Sequence, residues 1–182
     1  MLARLRERCP GMLYNHSEIV GEAVALPIGS FEDRPVGPAA LDTLMAAAAA
    51  CEASRVCGVA VTPPMSFGYS PMHKRWAGLS REALTLFVAE VVTSLIKRVG
   101  ASKVIIVDGH YGHKDVVKKV ADALGAPYVN VWDVVTVKGF KGFREYLRFE
   151  GLAAREIVSE DPGVLAEVIG EVAKLICSLS RQ

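Results

Sequence analysis

The chain has 182 residues, 51% of them hydrophobic and 23% charged, with a formal net charge of +1. That balance excludes a disordered chain, and a near-neutral charge gives no field that would draw nucleic acid or a membrane surface. No apolar run reaches the length needed to cross a bilayer, so one domain over residues 1–182, long enough to bury a full core, is expected.

The first stretch, MLARLRERCPGM, is too charged for the apolar centre of an export signal and reads as a short helix or arm. Cys9, Cys51, Cys57 and Cys177 are scattered and form no CxxC pair. Without an export signal they are expected to be reduced thiols in a cytoplasmic protein. Val24 to Ile28 reads as a short apolar strand, followed by the turn-rich GSFEDRPVGP. Alanine and leucine carry high helix propensity, which predicts a helix from Ala39 to Ser54. Val56 to Val61 is a second buried strand, and TPPMSFGYSPMHKRWAG a long loop.

Ser80 is placed to cap a helix running to Val99, with Glu82 in its first turn and Gly100 just beyond its end. Lys103 to Val107 is the third strand. A helix starts at His113 or Lys114 and stops near Gly125. Tyr128 to Val137 is expected to be a fourth, longer strand, and Pro162 opens a last helix that runs to Leu179. Apolar strands alternating with helices of ten or more residues predict an α/β fold with a mainly parallel sheet covered on both faces.

In such folds the chemistry collects beyond the carboxyl ends of the strands. The loops after Ile28, Val61 and Val107 would open on one rim and bring Glu32, His73 and His110 together. Glu32 and Asp42 both follow the first strand, and a carboxylate in the opening turn of a helix is stabilised by the dipole whatever its function. With His110 they form a set suited to Zn²⁺, Mn²⁺ or Fe²⁺. Gly109 and Gly112 argue against regular helix at His110, so this histidine is expected to project from the turn. His113 is either a first-turn helix residue or a further ligand. His73 lies in a long aromatic loop of the kind that carries function. GHYGHK lacks the spacing of the phosphate-binding glycine loops.

These segments resemble the creatininase family of metal-dependent amidohydrolases. Its members typically carry a GSxEqHG…D loop after the first strand, a GxxxxH…GT loop, an NGHGGN or GHYEN turn and a late HAGxxET stretch. This chain has LPIGSFEDRPVGPAALDT, FGYSPMHKRWAGLS, VDGHYGHKD and EGLAAREIV in the same order, over Leu26 to Ile157. The resemblance implies a three-layer α/β/α fold, a small-molecule substrate, a divalent metal and a homo-oligomer. It implies metal ligands at Glu32, Asp42, His110 and Glu156, with His113 or His73 as a substitute for a missing one. Proton transfer would fall to Glu156, Glu150 or His73, and substrate contact to Trp132.

Two positions depart from the pattern. Arg34 stands where the family has a histidine ligand, and Gly151 where it has a histidine that moves protons. A guanidinium cannot bind a metal, which points to one ion per chain and leaves Arg34 to clamp a carboxylate or phosphate of a substrate. The resemblance therefore implies a hydrolase of a non-peptide amide, cyclic amide or formamide. Two alternatives are a formamide hydrolase of archaeal flavin or deazaflavin biosynthesis and a non-catalytic ligand-binding or assembly protein on the same scaffold.

Overall fold

The computed structural model describes residues 8–12, 22–32, 39–71, 73, 76–138 and 162–182. Two hydrophobic strands lie side by side at its centre: β1, Ala23–Ile28, and β5, Lys103–Asp108. In each, a partly exposed first residue is followed by five buried ones, as both faces of the strand require when both are covered by helices. They pair in parallel with Ile28 beside Asp108. The short strand β3, Ala60–Val61, pairs with the free edge of β1, and β6, Tyr128–Asn130, with the free edge of β5. The order is β3-β1-β5-β6, all parallel. A small antiparallel pair, β2 at Phe31–Glu32 and β4 at Trp76–Ala77, stands beyond the end of β1.

Alternation along the strands sorts the core into two layers. Val24, Leu26, Ile28, Val104 and Ile106 pack against α2, Arg81–Ser94, and α3, Lys114–Leu124. Ala25, Ile105, Val107 and Val129 pack on the opposite face against α1, Leu41–Cys57, and α5, Pro162–Arg181. This is the expected three-layer α/β/α arrangement. The alanines of α1 let it lie close to both the sheet and α5, and Ala46, Ala49, Ala50 and Ala53 are all fully buried.

Ser80 caps α2 as expected, accepting from the Ala83 N–H at 3.1 Å. Helix α1 runs three residues past the expected Ser54, to Cys57, and the second strand shrinks to Ala60–Val61. Gly58 ends the helix in the left-handed conformation at φ 76°, which a residue with a side chain adopts at a cost.

The long fourth strand is not found: β6 stops at Asn130 and the chain continues as helix α4, Val131–Lys138. The Asn130 side chain decides this by accepting from the Trp132 N–H at 2.9 Å, a helix N-cap. The cysteines are also not reduced thiols. Cys9 is bonded to Cys51 and Cys57 to Cys177. Both bridges end on α1.

Candidate metal centre

Strand β1 has β3 on one side and β5 on the other, so the connection from β1 runs one way across the sheet to β3 and the later ones run the other way to β5 and β6. The carboxyl ends of β1 and β5 therefore form the topological switch point, where neighbouring connections part and leave a crevice. Glu32 and Asp42 arrive there from the connection after β1. His110 arrives two residues after β5. All three are buried, and one ligand atom from each lies within 4.8 Å of the others.

Local contacts fix the arrangement. The Ser30 hydroxyl lies 3.0 Å from Glu32 Oε2 and 2.9 Å from Asp42 Oδ2, bridging the two carboxylates. Ser70 donates to Glu32 Oε2 as well. His110 Nδ1 is 2.7 Å from Asp42 Oδ2, and its Nε2 is 3.5 Å from Glu32 Oε2. His73, with 17% of its side chain exposed, sets Nε2 3.2 Å from Glu32 Oε1. Among these described side chains the acids and His110 are enclosed, and His73 is the one with partial exposure.

The two glycines of the turn supply room rather than a left-handed bend, since neither has a positive φ. A Cβ at Gly109 would lie 2.0 Å from the Asp42 carbonyl oxygen, and one at Gly112 would lie 2.5 Å from His110 Nε2. The first turn of α1 approaches the end of β5 because Gly109 has no side chain. The space beside His110 Nε2 stays clear because Gly112 has none.

The donors fit a divalent ion. Two carboxylates held this close under burial repel each other unless a cation compensates them. His110 Nε2 is buried without a hydrogen-bond partner among the described residues. Burial by itself would lower the His110 pKa, but the Asp42 bond and the charges of Asp42, Glu32 and Asp108 outweigh it and shift the pKa upward. The negative charges that favour a proton on His110 also favour a cation, and the group offers the oxygen and nitrogen donors that Zn²⁺, Mn²⁺ and Fe²⁺ accept.

His113 and Trp132 lie beside this group rather than in it. His113 is fully buried behind it, its ring 4.7 Å from that of His110. His113 Nδ1 is 3.5 Å from Asp108 Oδ2, and its Nε2 3.4 Å from the Gly29 carbonyl. Trp132 is 1% exposed and donates its indole N–H to the Gly109 carbonyl at 2.5 Å, next to His110 in the chain. Arg34, Glu150, Gly151 and Glu156 lie outside the described residues.

Sequence reasoning missed Ser30 and Ser70, which touch the acids, and the group behind the turn. Asp108 there accepts from the His110 N–H at 2.9 Å and from the Tyr128 hydroxyl at 2.6 Å. Burial would raise the Asp108 pKa, but the His113 charge and bonds from His113, Tyr128 and His110 hold it below the usual range. Burial and Asp108 push the Tyr128 hydroxyl far above its ordinary value. The one signal available in the sequence was a polar pair, Tyr128 and Asn130, at alternate positions of a short strand.

A parallel α/β fold with a buried pair of carboxylates and an imidazole at its switch point is that of a candidate metal-site protein. Residues 17–161 match the family model described as Creatininase: Creatinine amidohydrolase. The chain belongs to the creatininase family. Its fold is that of solved creatininases. The structure titled "Creatininase Mn" is 15% identical with a TM-score of 0.67, and the match covers 100% of this chain and 97% of that one. A mutant creatininase with phenylalanine in place of a tryptophan is 14% identical with a TM-score of 0.68, again covering 100% and 97%. A Type II mutant creatininase is 18% identical with a TM-score of 0.55, and the match covers 74% of this chain but only 57% of that chain. No curated protein matches the sequence.

Proposed function

We propose that this protein is a metal-dependent hydrolase of a non-peptide amide, cyclic amide or formamide. The observation that carries this reading is the convergence of Glu32, Asp42 and His110 at the switch point, with ligand atoms within 4.8 Å of one another. A bound divalent ion would polarise the amide carbonyl and lower the pKa of a water molecule. Glu32, Asp42 and His110 would hold it, with Glu156 as a further ligand.

His73 is suited to moving the proton. It is a partly exposed imidazole beside the acids, and its contact with Glu32 orients it. Glu150 and Glu156 are the other candidates for that step. Arg34, a permanent cation in the first loop, would orient an anionic group of the substrate and limit the chain to one tightly bound ion. Zn²⁺, Mn²⁺ or Fe²⁺ would serve, and a homo-oligomer is proposed from family membership. Among the described residues no helix is long and apolar enough to cross a membrane. A cytoplasmic location is proposed, and the two disulfides weigh against it because a reducing cytoplasm keeps thiols reduced.

The test is hydrolysis of a panel of cyclic amides, formamides and creatinine by protein loaded in turn with each metal. Turnover lost in His73→Ala, with bound metal unchanged, is expected. Stoichiometric metal with no turnover on any amide would favour the ligand-binding alternative, for which Gly151 in place of the family's proton-transfer histidine already speaks. Arg34→His should raise the stoichiometry from one ion toward two.

A further inference from the structure

We propose that Tyr128, Asn130 and Trp132 are positioning residues that hold the His110 turn in ligand geometry before an ion arrives; this rests on the ligand set proposed above. Strand β6 is only three residues long, and its register places Asn130 beside Asp108. Tyr128 and Asn130 share a face of the strand by its twofold alternation. Between them they reach both sides of the turn.

The contacts fall on two consecutive peptide groups. The Tyr128 hydroxyl donates to Asp108 Oδ2 at 2.6 Å, while Asp108 Oδ1 accepts from the His110 N–H at 2.9 Å. The Asn130 amide donates to the His110 carbonyl at 3.3 Å. The Trp132 indole donates to the Gly109 carbonyl at 2.5 Å. The His110 N–H, the His110 carbonyl and the Gly109 carbonyl are thus each held. Asp108, Asn130 and Trp132 are buried, so rotating the turn would leave polar groups unpaired away from water. Asn130 also caps α4 through Trp132, which couples the start of that helix to the ligand.

A merely structural role, closing the end of the sheet, would make these residues matter for stability alone. The two roles separate in the metal-binding constant. The experiment titrates metal-free wild type, Tyr128→Phe, Asn130→Asp, His110→Ala and Val92→Ala with Mn²⁺, and records the visible spectrum of each after Co²⁺ loading. Tyr128→Phe removes one donor and keeps the ring. Asn130→Asp keeps the acceptor that caps α4 and removes the donor to His110. Val92→Ala thins the core under α2, away from the turn, and controls for stability.

The expected result is a Kd raised about 10–100-fold in Tyr128→Phe and Asn130→Asp with an altered Co²⁺ spectrum, and a near-wild-type Kd in Val92→Ala however far its Tm falls. Wild-type affinity and spectrum in both positioning variants, with binding lost in His110→Ala, would overturn the inference and leave the ligand set standing. Equal binding by wild type and His110→Ala, or none by either, would overturn the ligand set and the inference with it. Should Asn130→Asp fold poorly, Tyr128→Phe carries the test.

Discussion

Ser30 stands between two buried acids, within 3.0 Å of each. Its one hydroxyl hydrogen serves only one of them at a time, and His110, with Nδ1 2.7 Å from Asp42, lies within reach of both acids. The upward shift of the His110 pKa gives these contacts a pH dependence. A group whose pKa is higher folded than unfolded contributes stability in full below its unfolded value, about 6.5 for histidine, and loses it as pH rises through the folded value. Metal-free wild type should therefore lose stability relative to His110→Ala as pH climbs above that point. Saturating divalent ion should reverse the trend, because the ion competes with the proton. Thermal unfolding of both proteins across this range, with and without metal, checks it. A gap between the two Tm values that is independent of pH would contradict the assignment.

At the scale of elements, the site is made by how closely α1 approaches the end of β5. Gly109 permits that approach, and Gly109→Ala would put a methyl group 2.0 Å from a backbone oxygen of α1. Backbone cannot step aside as a flexible side chain can, so a loss of about 1–3 kcal/mol is expected, the usual cost of overpacking. Urea denaturation measures it, and an unchanged midpoint would show that α1 shifts freely. The central strands were legible in the sequence because strands buried on both faces read as continuous apolar runs. Their carboxyl ends then located Glu32, Asp42 and His110. The run VNVWDVVTV was misread because β-branched residues without alternation fit a strand and a buried helix equally. What decides it is the Asn130 side chain, bonded to the backbone of Trp132. The contacts of Asn130 and Tyr128 with the ligand turn were invisible for a different reason. They depend on β6 pairing with β5, which no local pattern encodes.

For the molecule as a whole, the two disulfides tie residues far apart in sequence, 42 and 120 positions, to the same helix that carries Asp42. Such spacings left no motif to read. Each bridge should contribute about 2–4 kcal/mol, so reductant should lower the Tm markedly, and the unreduced, denatured chain should show no free thiol. Four titratable thiols in protein from its native host would contradict this. A homo-oligomer should appear as a multiple of the 19.6 kDa chain mass in light scattering, and a monomer at micromolar concentration would oppose that proposal. The central claim is that Glu32, Asp42 and His110 together hold one divalent ion. Its most direct measurement is elemental analysis of wild type and His110→Ala after equilibration with metal and removal of the excess. One ion per chain in the wild type, and a substoichiometric amount in the variant, is the predicted result. The same metal content in both proteins would contradict the claim.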